Sequence, residues 1–182
     1  MKRLAMTVAL ALVPVVAAAD SQAVTKTADD GYAANSRITG TLGLFSPIGS
    51  LGIEYAHAVH PNAELALGFG YGFSGPQAAI MPRLRTGSGP VSVSLGVGVS
   101  GGPLVLPEFC LWSDYCGEDT KTTALWANAE LGVQVASRSG TTFRLFAGTG
   151  RVVAHGECGG DQCGDVAGLM LPYGGVSFGH TL

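Results

Sequence analysis

Four kinds of side chain in this sequence are equipped for chemistry, and their spacing decides what each can do. His57, His60, His155 and His180 are the four histidines, and a hydrolase would need one of them within hydrogen-bond reach of a nucleophile and an orienting acid. None is read with a serine and an acid on neighbouring inward positions; Ser177 and His180, three apart in a strand, point to opposite faces. Asp29 and Asp30 are paired by adjacency alone, which favours a solvated acidic spot over a metal site. Cys110 and Cys116 bracket five residues, and Cys158 and Cys163 bracket four. Zinc thiolate pairs usually run Cys-x2-4-Cys, which the first spacing exceeds, and export through an oxidising compartment favours disulfides, so disulfides are the better reading. Four cysteines allow three connectivities. Local pairing closes short loops at low entropic cost, while cross-pairing between the two loops stays open. Glycines recur at period two and precede no helix, so neither a phosphate loop nor a dinucleotide fingerprint is present. The sequence thus predicts no catalytic centre, no cofactor and no metal.

The address is written at the start. Lys2 and Arg3 precede an apolar stretch over residues 4–16, followed by Ala17, Ala18, Ala19 and Asp20. That is the layout of a secretory signal with small residues at its cleavage site, and the apolar core is too short for a spanning helix of roughly 20 residues. Residues 1–19 are read as a signal peptide cleaved after Ala19, and residues 20–36 as a polar periplasmic tail. Cleavage removes two basic residues and moves the formal net charge from −3 to −5, which offers nothing to nucleic acid. Only 13% of residues are charged, 28 are glycine, and the mean hydropathy is +0.33. A soluble domain carries about 25% charged residues. Such a chain hides most of its surface or faces lipid.

Residues 86–107 pass without a single charge, yet their period excludes a helix. Val91, Val93, Leu95, Val97 and Val99 alternate with Ser92, Ser94, Gly96, Gly98 and Ser100, the signature of a strand with one greasy and one small polar face. The pattern recurs in Leu65, Leu67, Phe69, Tyr71 and Phe73, and again in Leu125, Ala127, Ala129, Leu131, Val133 and Val135. Repeated glycine on one face weakens a strand unless something packs closely against it, and a narrow barrel lumen supplies that reason. Eight strands are expected over 37–45, 50–57, 63–73, 78–85, 91–101, 122–135, 142–153 and 169–180. Short turns at 57–62, 86–90 and 136–141 follow the even strands, and long connections at 102–121 and 154–168 follow strands five and seven. Even strand number, strand length and loop alternation all fit a transmembrane barrel.

With its eight alternating segments, its odd-numbered long loops and its closing series Val176, Phe178, His180 and Leu182, the chain resembles the small outer-membrane barrels of the OmpA and OmpX type. The resemblance implies an all-β, eight-stranded antiparallel up-and-down transmembrane β-barrel over residues 37–182, in the outer membrane of a Gram-negative bacterium. Its partners would be outer-membrane lipids, lipopolysaccharide and the barrel-assembly machinery, with the external ligand unknown. In that family the last strand usually closes on an aromatic residue, where this chain has Leu182.

The alternation turns Arg37, Glu54, Glu64, Arg83, Arg85, Glu130 and Arg144 inward, with Asn128 and Gln134. In a lumen just wide enough for side chains to fill, four arginines and three glutamates are expected to pair into a plug, because an unpaired charge there would lose hydration worth several kcal/mol. The expected role is structural or surface interaction, with Trp112 and Tyr115 displayed on disulfide-closed outer loops. A porin-like transport or channel barrel for small or apolar molecules is the alternative, and a lipid-modifying barrel enzyme is the less favoured one. A soluble exported sandwich or lipocalin-like barrel is a further possibility, which extraction without detergent would reveal.

Overall fold

The computed structural model describes residues 36–86, 89–106, 120–156 and 168–182. Its eight strands are β1 (Ser36–Leu44), β2 (Leu51–His60), β3 (Ala63–Gly72), β4 (Gly75–Thr86), β5 (Val91–Leu106), β6 (Thr120–Ala136), β7 (Thr141–His155) and β8 (Met170–Thr181). They form one closed barrel in sequence order, with every neighbouring pair antiparallel. β1 closes on β8 from Arg37 opposite Thr181 to Leu44 opposite Gly174, and the amide of Leu182 donates to the carbonyl of Ser36. Closure leaves no unpaired strand edge. The fold expected from the alternation, an all-β barrel of eight antiparallel strands, is the fold observed.

Boundaries differ in informative ways. β1 begins at Ser36, one residue inside the expected tail. β2 runs on through the expected turn to His60, across a bulge between Ala58 and His60, so only residues 61 and 62 are left to turn. β5, β6 and β7 reach 16, 17 and 15 residues, which shortens the connection after β5 from both sides and the one after β7 from the β7 side. The wall they form is taller than the wall of β1 to β3. Its ladder continues because Gly102, Pro103 and Leu104, expected in the long connection, pair in register with Ala124, Thr123 and Thr122. The connections after β1 and β3 are short, so the long loops follow only β5 and β7.

The barrel is inside out. Outward positions carry 29 large exposed hydrophobic side chains among the described residues, from Ile38 through Phe73 to Phe178. The buried set inverts the usual order, with seventeen polar or charged residues against ten hydrophobic ones. Soluble proteins almost never bury Lys, Glu, Arg or Asp unless paired.

Candidate functional site: a charged plug inside the barrel

Period two is what delivers the charges to the lumen. Arg37 on β1, Glu54 on β2, Glu64 on β3, Arg83 and Arg85 on β4, Glu130 on β6 and Arg144 on β7 all occupy inward positions, and the structure brings the seven together. Arg83 is the hub. Its two terminal nitrogens each donate to Glu54 at 2.6 Å, its Nε donates to Glu130 at 3.1 Å, and Nη1 lies 3.6 Å from Glu64. Arg37 donates to Glu64 at 2.6 Å, and Arg85 reaches the other oxygen of Glu64 at 3.5 Å. Arg144 completes the set with a short contact to Glu130, and its guanidinium lies over the Phe146 ring, 5.3 Å from the centroid. The fork of Arg83 on Glu54 is the bidentate geometry that guanidinium offers and ammonium does not.

The small residues of the facing strands make room for these long side chains. A Cβ at Gly96 would stand 3.0 Å from Cγ of Arg83 and 3.1 Å from the sulfur of Met81. One at Gly132 would stand 2.8 Å from Nε and Nη2 of Arg144. The hydroxyl of Ser94 accepts from Arg144 at 3.4 Å, and that of Ser100 accepts from Asn128 at 2.9 Å. Gln134 is buried beside them. The Gly and Ser face of β5 is therefore the floor on which the arginines lie.

A second stopper was not legible in the sequence. The connection after β1 does not stand out into solvent but folds back into the lumen, where Ile48 is 5% exposed. Its side chain fills the inward space over Gly52 and Gly68, positions where a Cβ would collide with it. Phe45 turns the chain with φ of 55° and Gly49 completes the turn with φ of 90°. The Ser46 hydroxyl caps the Gly49 carbonyl, and Ser50 donates to the Tyr71 carbonyl at 2.9 Å. Between Ile48 and the ion pairs a cavity of about 20 Å³ remains, room for roughly one or two waters. The only available hint was the run Ser46, Pro47, Ile48, Gly49, in which one apolar residue sits among turn formers.

Gly49 tests the stopper directly. A Cβ there would meet the Tyr71 carbonyl carbon and the Gly72 amide nitrogen at 2.5 Å, on backbone that L-residues reach only at a cost of about 1–2 kcal/mol. Gly49→Ala is expected to destabilise the barrel by at least that amount, read as a lower urea midpoint in lipid vesicles. An unchanged midpoint would mean that the turn is detached from the wall.

One histidine meets a serine hydroxyl on the exposed side of the wall. Cross-strand register sets Ser36 opposite His57, and the serine hydroxyl lies 2.9 Å from Nδ1 of His57 and 3.1 Å from the Tyr55 hydroxyl. The pair is exposed, and the carboxylates among the described residues, Glu54, Glu64 and Glu130, all point into the lumen, so none orients it. His180 is exposed on the outer face. Cys110, Cys116, Cys158 and Cys163, together with Trp112 and Tyr115, lie outside the described residues, as do the expected signal peptide and most of the tail. No protein-family model matches the chain, and no curated protein matches it.

Proposed function

We propose that the chain is an exported outer-membrane β-barrel of the OmpA/OmpX-like kind from a Gram-negative bacterium, with a structural or surface-interaction role and no catalytic one. The inverted distribution of side chains carries this reading. All described carboxylates lie inside, while the outward positions of the strands present Leu, Ile, Val and Phe. Strands of 9 to 17 residues reach or exceed the roughly 9 to 11 that a tilted strand needs to cross a bilayer. Tyr55, Phe143 and Phe178 lie toward the end that holds both Ser36 and Leu182, and Phe45, Phe69, Tyr71 and Phe73 lie toward the other, where aromatic girdles would sit at the two interfaces. Arg151, exposed on the outer half of β7, would meet the headgroups of lipopolysaccharide. The basic and apolar start of the sequence would direct export, and the assembly machinery would then insert the barrel.

Two stoppers in series argue for a closed lumen. With Ile48 above and the Arg83 network below, the barrel acts as a scaffold that holds its outer loops, and the loops carry the recognition. In them Cys110 would pair with Cys116 and Cys158 with Cys163, displaying Trp112 and Tyr115 as rigid aromatic groups of the kind that anchor partners.

Membrane fractionation tests the location. The mature chain is expected in the detergent-soluble outer-membrane fraction with heat-modifiable migration on gels, and recovery of folded protein in the periplasmic wash would overturn it. Planar-bilayer recordings on the same material are expected to show no steady conductance. A stable conductance whose selectivity changed in Glu130→Gln would replace the scaffold reading with a channel.

A further inference from the structure

The plug is short of one carboxylate. Four arginines share three glutamates, and the shortage falls at one place. Arg37, Arg83 and Arg144 each hold a carboxylate at 3.1 Å or closer, whereas Arg85 reaches Glu64 and the Ser92 hydroxyl only at 3.5 Å each. Glu64 is already engaged by Arg37 and Arg83. Arg85 also keeps 19% of its side chain exposed, against 2% to 9% for the other six. It lines a recess at the mouth of the barrel with Arg37, Glu64 and Ser36. The exposed edge of the guanidinium therefore faces the rim, where a carboxylate could approach without dismantling the network.

Ser36, the first described residue, lines that recess. Asp30 stands six positions before it and Asp29 seven, and six extended residues reach up to about 20 Å, enough to cross the mouth of an eight-stranded barrel. We propose that this mouth is a docking site for the chain's own acidic segment, with Asp29 or Asp30 supplying the carboxylate that Arg85 lacks. Tethering makes the encounter intramolecular, which raises the effective concentration of the acid above that of a free anion. The inference needs the closed barrel but not its membrane setting, so its failure leaves the proposed function standing.

Guanidinium labelling with phenylglyoxal, read by peptide mass spectrometry on the folded mature chain, tests it. In the double variant Asp29→Asn with Asp30→Asn, labelling of Arg85 is expected to rise roughly two- to fivefold, the range an exposed ion pair supports. Arg138 and Arg151 should label at the parent rate. Equal labelling of Arg85 in the two proteins would overturn the docking, and so would protection of Arg85 by inorganic phosphate to the same degree in both. Carbodiimide coupling of the Arg85→Lys chain gives a second readout. A peptide joining position 85 to Asp29 or Asp30 is expected, whereas coupling only to Glu64, or of the aspartates only to Lys26, would overturn the assignment.

Discussion

Arg83→Ala is expected to destabilise the barrel by about 3 to 5 kcal/mol, the loss seen when one partner of a buried ion pair is removed. The upper end of that range applies, because among the described residues Arg83 is the cation in contact with Glu54. Its two oxygens are both held by the Arg83 fork, while Glu64 would keep Arg37 and Arg85 and Glu130 would keep Arg144. A carboxylate enclosed by Ile48, Met81 and Phe146 cannot recover its hydration by a small movement. Glu130→Ala is expected to fall in the same range of about 3 to 5 kcal/mol, since it releases Arg144 and loosens Arg83 together. The double replacement Arg83→Met with Glu54→Gln should recover part of the loss, because two well-packed neutral groups often match a buried pair. Urea titration in lipid vesicles, followed by heat-dependent gel migration, measures all of these. A loss below about 1 kcal/mol for Arg83→Ala, as for an exposed pair, would show that water reaches the plug and would favour transport over the scaffold.

The second large effect is expected on the opposite face. Leu131 lies on β6 five residues from its Ala136 end, 57% exposed, between Leu95 on β5 and Ala147 on β7. Leu131→Arg is expected to lose about 2 to 4 kcal/mol in phospholipid vesicles, the depth-dependent cost of a cation near the bilayer midplane, and His180→Arg at the terminus rim only about 0 to 1 kcal/mol. The contrast between the two positions is the diagnostic quantity. In a water-soluble barrel both substitutions would be close to neutral, and equal effects at the two sites would remove the membrane from the proposed function.

Both experiments rest on an alternation that a single sequence displays openly. Side chains in a strand point to opposite faces at every step, so one pass along Val91 to Val99 assigns a face to each residue without knowledge of any neighbour. That is why the strands, their number and the inward set of Arg37, Glu54, Glu64, Arg83, Arg85, Glu130 and Arg144 were readable in advance. The same local rule says nothing about where a ladder stops. Gly102 and Pro103 look like loop, yet they pair because β6 continues beside them.

Partner identity is likewise beyond a local rule. That Arg83 rather than Arg85 or Arg144 is the hub depends on the relative stagger of β2, β3, β4 and β6, and stagger is set by cross-strand pairing around the closed ring. Ser36 meets His57 for the same reason, across 21 positions of sequence. Ile48 belongs to neither face of a strand, and its burial arises because Gly52 and Gly68 leave an opening on the inner wall that a short connection can enter. By itself, then, the sequence determined what each strand residue faces, since alternation is a property of one strand. Only the tertiary structure decided which inward charges touch, which of them is left short of a partner and which loop enters the lumen, because those follow from the register of strands far apart in the chain.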